Sequence, residues 1–389
     1  MLLVFASDFR AELPGVLRTG ALRDALSNLA LAHHEGKHIL SGPSALLADL
    51  ADARELSERS RDIFRKIKVR HHEARTLRES VSHFALIEAR DGGIQEEQSE
   101  EQQCFHVPLK YFSDSGRVQA SRLVAENRDD ARVYQRAAGA FVSRAELKGL
   151  TVTFQIYGGG GSTTAGALRD HALQGPTVCV VDADYKWRNE KTEEGEPAKG
   201  DTAAGAMKVA EELKGKTVCT VFAVPCREIE NLLPSELVLG CFAVGDRGDF
   251  HQSCVQAAEL GFFCGGPRVD RLDLKKGLRR KDYEVIPPKH PQYLYLKSVF
   301  DESQNRARKP ALGWCGDERR CSGDAPCECV LFEGIGDGLL ARVADRLEKL
   351  TPQKIAEHLL ASGQPHEPAW TEIGNLLFAW GCAYPRTRT

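Results

Sequence analysis

Six carboxylates fall into three pairs: Glu126 with Asp130, Asp182 with Asp184, and Glu228 with Glu230. Each pair follows an apolar run that reads as a strand: Arg122-Leu123-Val124-Ala125, Thr177-Val178-Cys179-Val180-Val181, and Thr217 through Val224. Carboxylates brought together repel unless a cation sits between them. Hard divalent cations such as Mg²⁺ or Mn²⁺ prefer oxygen ligands. Two such ions can bracket the attacking and leaving oxygens of a phosphodiester. The spacing predicts that Glu126 and Asp130 share one face of a helix. It also predicts that Asp182 and Asp184 point to one side of an extended chain. Taken singly, each pair has an ordinary reading. An Asp-x-Asp at a strand end is a frequent loop cap, and acids in a first helical turn suit the macrodipole. The ordered combination is far more specific.

Elements that position these acids alternate from about 118 to 235. Leu150 to Tyr157 is a β-branched and aromatic run, closed by Gly158-Gly159-Gly160-Gly161-Ser162-Thr163-Thr164 and a helix to about Leu173. Gly175-Pro176 breaks the chain, and a further helix is predicted near 201–214. Continuous apolar strands alternating with helices imply an α/β fold with a parallel sheet covered on both faces. Ligands of such sheets bind at the carboxyl ends of the strands.

This order of strand–Glu-x-x-x-Asp–helix, strand–Gly-rich turn–helix, strand–Asp-x-Asp and strand–Glu-x-Glu resembles the Toprim domain. Topoisomerases, bacterial primases, small RNA maturases and the overcoming-lysogenization-defect (OLD) nucleases share that domain. The matching residues are Glu126-Asn127-Arg128-Asp129-Asp130, Tyr157-Gly158-Gly159-Gly160-Gly161, Val181-Asp182-Ala183-Asp184 and Arg227-Glu228-Ile229-Glu230-Asn231-Leu232-Leu233. Asn127 stands where many members carry Gly. The last segment is most similar to the OLD-like nucleases of bacterial antiphage defence. The resemblance covers about 118–240, under a third of the chain. It implies a Rossmann-like Toprim core and a Mg²⁺- or Mn²⁺-dependent nuclease. Glu126 and Asp130 would then hold one ion, with Glu126 serving as acid or base. Asp182 and Asp184 would hold or bridge the other, and Glu230, or Glu228, would complete the set. A lysine commonly stabilises charge on the phosphate in such sites, and the candidates are Lys275 and Lys276. DNA is favoured over RNA, and the setting implied is antiphage defence. An RNA-processing Toprim enzyme and a non-catalytic adaptor that binds nucleic acid or a partner are the alternatives.

The glycine run could present backbone N–H groups to a phosphate, or be a tight turn with Ser162 or Thr163 as N-cap. It is neither a Walker A loop nor a full dinucleotide fingerprint. No ATPase module is visible. OLD-type nucleases usually have one fused, so the resemblance implies that here it is absent or comes from a partner chain.

Cys315, Cys321, Cys327 and Cys329 bring four of the twelve cysteines into one short segment. Four thiolates can make a tetrahedral Zn²⁺ site that folds a small loop. The spacing lacks paired Cys-x-x-Cys knuckles, so reduced thiols in a loop are the other reading. Cys264 and His290 are substitute ligands at a distance in sequence. His33-His34 and His71-His72 read as solvated helix surface.

The remaining chain suggests four segments: a mainly helical domain over 1–90, an acidic linker and lead-in over 91–117, the Toprim-like domain over 118–240, and an extension over 241–389 with the cysteine loop. In the first, Leu22, Leu26, Leu29 and Leu31 recur at near-helical spacing. From Arg59 to Arg78, eight basic residues face two acids, Asp62 and Glu73. That run could lie along phosphates, though most charge runs are solvated helix faces. A basic stretch from Arg268 to Lys289 follows later, and a C-terminal helix pair is predicted over about 337–361 and 368–380.

With 389 residues, 42% hydrophobic and 28% charged, the chain suits two or three globular domains and excludes a collagen-like or wholly disordered protein. A net charge of −3 means that any nucleic-acid surface is local. The apolar start Met1 to Ala6 has no preceding basic residue, so it reads as a strand rather than a signal peptide. No run approaches a membrane span. The expectation is a cytoplasmic protein with no membrane partner, with homo-oligomerisation left open.

Overall fold

The computed structural model describes residues 1–184, 200–243, 245, 247–263, 269–279, 286–305 and 330–386. The chain forms two compact units. The first comprises Met1–Val180, Gly205–Phe222 and Thr371–Thr389, and the second Val181–Ala204 and Ala223–Trp370.

Among the described residues the first unit holds two larger sheets and one two-stranded pair. The N-terminal sheet is built on β1 (Leu2–Phe5), whose four residues are all buried. Around it run α1 (Phe9–Arg18), α2 (Gly20–His34), β2 (Ile39–Ser41), α3 (Ser44–Asp52), α4 (Glu58–Val69), α5 (His71–Ser80), β3 (His83–Glu88), β4 (Gln95–Gln98) and β5 (Gln103–Pro108). The strand order is β2-β1-β3-β5-β4. β1 pairs in parallel with β2 and β3, and β3 in parallel with β5, while β4 closes the edge antiparallel.

Two findings add to the expectations here. Residues 1–90 are mainly helical in content, with α1 to α5, and their strands β1, β2 and β3 also join in one sheet. β2 has only three residues, too short for a period-two pattern to stand out beside leucines at helical spacing. Residues 91–103 carry strand β4 and the turn into β5 in place of a flexible linker. Ile94 is buried, its N–H donating to Gly215 O at 3.0 Å. A β4 of Gln and Glu is tolerated because an edge strand has one open side, and charge there discourages pairing with another chain.

The second sheet has the order β10-β9-β6-β8. Its elements are β6 (Arg122–Ala125), α6 (Arg128–Arg144), β7 (Thr151–Val152), β8 (Gln155–Gly158), α7 (Thr164–Ala172), β9 (Thr177–Val181), α8 (Asp201–Leu213) and β10 (Cys219–Ala223). β6 pairs in parallel with β8 and β9. Thr177 N–H donates to Val218 O, and Val224 N–H to Val181 O, so β10 runs alongside β9 in the same direction. β9 is wholly buried, which is why its sequence is a continuous apolar run. The expected strand over 150–157 is split. β7 pairs antiparallel with the short strand Cys382–Ala383, and β8 joins the main sheet.

In the second unit, a 3-10 turn over Ile229–Leu232 follows β10. Short helices follow at Ser235–Leu239 and Asp249–Glu259, and strand Leu278–Arg279 pairs antiparallel with Val330–Phe332. Helices at Pro291–Asn305, Leu339–Glu348 and Pro352–Leu359 follow, and helix Glu367–Gly381 starts in this unit and ends in the first. The predicted first C-terminal helix is two helices, because Thr351 caps a new one through Lys354 N–H (3.3 Å) with Pro352 in its first turn. Buried Trp370 donates Nε1–H to Leu232 O at 2.8 Å. Among the described residues no helix is long and apolar enough to cross a membrane. Cys315, Cys321, Cys327, Cys329 and Cys264 lie outside the described residues.

Candidate functional site

Acids of the second unit converge where the chain leaves β9 and β10. Asp182, Glu228 and Glu230 are all buried, Glu230 to 1% exposure. Asp182 Oδ1 accepts the Ile229 N–H at 3.0 Å, which ties the residue after β9 to the turn after β10. Asn231 is the clamp of that turn. Its Oδ1 accepts Glu228 N–H at 3.0 Å, and its Nδ2 donates to Val269 O at 3.0 Å and Leu272 O at 3.1 Å. The clamp brings the segment 269–276 against the acids.

Lys275 is the lysine that turns inward. Its Nζ lies 3.0 Å from Glu230 Oε1 and 3.8 Å from Glu228 Oε1. Lys276 is exposed and meets Asp273 at 3.5 Å, and Asp273 also pairs with Arg227 at 2.9 Å. One ammonium therefore faces a set of buried carboxylates. Burial, then repulsion from Glu230, pushes the Glu228 carboxyl up to about 8. Burial also raises Glu230, against the pull of Lys275. For Lys275, burial works to lower the pKa, but Glu230, Glu228 and Asp182 outweigh it and hold the ammonium protonated above its ordinary range. The cluster thus carries more negative charge than Lys275 offsets, and a proton on Glu228 relieves it when no further cation is bound.

Glu228 Oε2 and Glu230 Oε2 are buried and accept no hydrogen bond. Orphaned carboxylate oxygens of this kind are costly unless a cation or proton meets them. Their chemistry suits a hard divalent ion. Among the described residues, no three His, Cys, Asp or Glu side chains are already arranged as a metal cage.

Asp184 departs from expectation. β9 ends at Val181, and Asp184 has φ 51°, in the left-handed region. The alternation of an extended chain, on which the same-side reading of Asp182 and Asp184 rested, stops before the pair. Asp184 N–H donates to Arg227 O at 3.0 Å, and Gly200 N–H to Ala183 O at 2.8 Å. A Cβ on Gly200 would lie 2.2 Å from Asp184 Cβ, so the approach requires glycine.

Glu126 and Asp130 belong to the first unit. α6 begins at Arg128, so Glu126 lies before the helix and does not share a helical face with Asp130. Asn127 is the N-cap. Its Oδ1 accepts Asp129 N–H at 2.8 Å and Asp130 N–H at 3.0 Å, and Asp130 Oδ2 accepts Asn127 N–H at 3.1 Å. This is a reciprocal capping box, and it gives Asp130 a structural role. Glu126 stands half-buried beyond β6, close enough to Cys179 to add to burial in raising that thiol's pKa.

The glycine run does not offer a row of open amides. Gly159 N–H donates to Ala125 O at 2.7 Å, and Gly160 and Gly161 N–H donate to Glu126 O at 2.7 and 3.2 Å. Gly159 is needed because a Cβ there would collide with Thr164. Neither Ser162 nor Thr163 caps α7 through its side chain.

Sequence reasoning passed over three neighbours of the acids. Cys226 donates Sγ–H to Glu228 O at 3.0 Å, and burial, then Asp182, Asp270 and the two glutamates, hold it as a thiol. Asp270 is pushed up to about 6 by burial, and its sign was hidden in a segment read as basic. Asn231 was legible only as a motif residue. The histidine reading also changes: His33 Nδ1 accepts Leu40 N–H at 3.0 Å, and burial, then Arg70 and His34, lower its pKa to about 4. Compared with models of protein families, with curated proteins and with solved structures, the chain finds no match in any of the three.

Proposed function

We propose that this chain is a Mg²⁺- or Mn²⁺-dependent Toprim endonuclease, related to the OLD-like nucleases. It hydrolyses phosphodiester bonds of nucleic acid, DNA in preference to RNA. It acts in the cytoplasm as an effector of antiphage defence, alongside a partner ATPase. One observation carries the reading. Two buried carboxylates, Glu228 and Glu230, each keep an oxygen without a hydrogen bond beside the Lys275 ammonium. A divalent ion bound there supplies a Lewis acid and a means of lowering the pKa of water. Glu230 and Glu228 hold the ion, and Asp182 steadies the turn that carries them through Ile229 N–H. Lys275 meets the charge that develops on the phosphate. The resemblance gives Glu126, Asp130, Asp182 and Asp184 roles as metal ligands too, with Glu126 as acid or base.

The same lysine favours a second reading. Lys275 already provides a cation to Glu228 and Glu230, as a non-catalytic adaptor that binds nucleic acid or a partner would need in the absence of metal. Cleavage separates the two. Purified protein is incubated with supercoiled plasmid, linear DNA or tRNA in Mg²⁺, Mn²⁺ or EDTA, beside Asp182→Ala/Asp184→Ala. Metal-dependent cutting that the variant loses supports the nuclease. Failure of the wild type to cut any substrate, with partner added, supports the adaptor. Cutting that survives the double variant refutes the assignment of these acids.

A further inference from the structure

The basic run at 59–78 takes a form that solvation does not require. α4 is amphipathic: Ile63, Phe64 and Ile67 are buried, and the opposite crest carries Val69, 81% exposed, with the exposed acids Glu58 and Asp62 on the turns before it. Helical spacing sets Lys66 on one flank of the crest, in line with Arg70 just beyond the helix, and Arg65 and Lys68 on the other. A hollow lies along each flank. One, of about 370 Å³, is bounded by Lys66, Arg70, His33, His34 and Tyr384. The other, of about 380 Å³, lies between α4 and α3, with Arg65, Lys68, His71 and the acid Asp52 on its walls. Val69 borders both. Arg65 pairs with Asp62 and Arg70 with Glu73, and Arg70 also lies 3.6 Å over the Tyr384 ring. Lys66, Lys68 and Arg75 make no ion pair among the described residues. This positive ridge stands in a chain whose net charge is −3.

We infer that the α4 ridge docks double-stranded DNA, with cations on its two flanks meeting the phosphate rows on either side of one major groove. The occupant follows from charge and size. A helix with its side chains is about 10–12 Å across, and the B-DNA major groove is about 12 Å wide. A helix of that diameter fits the groove, and long cationic side chains on its two flanks reach toward opposite backbones. A-form RNA, with a deep and narrow major groove, does not admit such a helix. The ridge positions rather than reads: its cations sit on the flanks and not on the crest that would face base edges, and it carries no Asn or Gln for adenine. The inference goes beyond the cleavage chemistry, because binding through this surface needs no metal.

The test is fluorescence anisotropy of a labelled 24-base-pair DNA duplex with the full chain in EDTA, titrated from low to high salt. Each phosphate contact contributes about −0.9 to the slope of log K against log salt. The triple variant Arg65→Gln/Lys66→Gln/Lys68→Gln should flatten the slope by about 2.7 and weaken binding by more than 100-fold at 0.1 M salt. Val69→Glu, a single change on the exposed crest, should weaken it as well. A charge-matched control, Lys208→Gln/Lys297→Gln/Lys349→Gln, alters exposed residues elsewhere and should bind as the wild type does. Melting curves confirm that all variants are folded. Wild-type affinity and slope in the ridge triple overturn the inference. So do equal losses in the control, tighter binding of duplex RNA or single strands, and a wild type that does not bind the duplex. EDTA suppresses metal-dependent cutting, so this readout fails or succeeds independently of the nuclease reading.

Discussion

Glu228→Gln should make the protein more stable at pH 8 while leaving it little changed at pH 5. In the folded chain the Glu228 carboxyl is pushed from an ordinary 4.5 up to about 8, by burial first and Glu230 second. A carboxyl with a raised folded pKa keeps a proton that the unfolded chain releases. Its contribution is fully present below about 4.5 and is lost as pH rises through about 8. The slope over that window is about 1.4 kcal/mol per pH unit. Across the whole interval the upper bound is roughly 5 kcal/mol, and a relaxed, partly hydrated site delivers a fraction of it. Glutamine keeps the shape and removes the titration. Urea unfolding of wild type and variant at half-unit steps from pH 5 to 8.5, in EDTA, gives two stability curves. Their difference cancels the titrating groups that Glu228 does not meet, and leaves Glu228 with its neighbours Glu230 and Lys275. It should widen with pH in the variant's favour, by about 2–4 kcal/mol at pH 8. Adding Mg²⁺ should narrow the gap at pH 8 by stabilising the wild type, because only ionised carboxylates bind the ion. Parallel curves would refute the burial argument. So would a wild type that gains on the variant as pH rises.

Three further outcomes follow from the geometry. Asn231→Ala removes three buried hydrogen bonds, one within the acid-bearing turn and two that tie it to Val269 and Leu272, and should cost about 2–4 kcal/mol in urea unfolding. A cost under about 0.5 kcal/mol would mean that the clamp is not formed. Gly200→Ala places a Cβ 2.2 Å from Asp184 Cβ and should lower stability by about 1–3 kcal/mol, read by thermal melting; an unchanged Tm would refute the close approach. His33 should titrate near 4 in an NMR pH series, because burial and the neighbouring Arg70 and His34 disfavour its charged form. Its contribution to stability is present above about 6.5 and is lost as pH falls through 4, and an ordinary midpoint would refute its burial.

Much of the second sheet was legible because its signals are local. Thr177 to Val181 is a continuous apolar run, and only a strand covered on both faces needs one. Gly158 to Thr164 announced a tight strand-to-helix turn, and Gly159 does meet Thr164 too closely for a side chain. The acids were expected at strand ends, and Asp182 stands one residue beyond β9. What failed were inferences of geometry from spacing. The i, i+4 relation of Glu126 and Asp130 assumed a helix that begins two residues later, behind its Asn127 cap. The i, i+2 relation of Asp182 and Asp184 assumed extended chain where the backbone turns left-handed.

By itself, then, the order of residue types determined that this chain alternates strands and helices over 118–235 and carries carboxylates where those strands end. Hydrophobic period, glycine and proline act over a few residues, and they leave their mark on the local sequence. Only tertiary structure decided that Lys275 and not Lys276 faces Glu228 and Glu230, because Asn231 and Asp273 set the path of that segment. Only tertiary structure made a strand of the polar stretch 95–98, whose partner β5 supplies the hydrogen bonds that its own residues do not call for. Burial, and with it the proton on Glu228, depends on which distant segments cover a side chain, and no spacing along the chain encodes that.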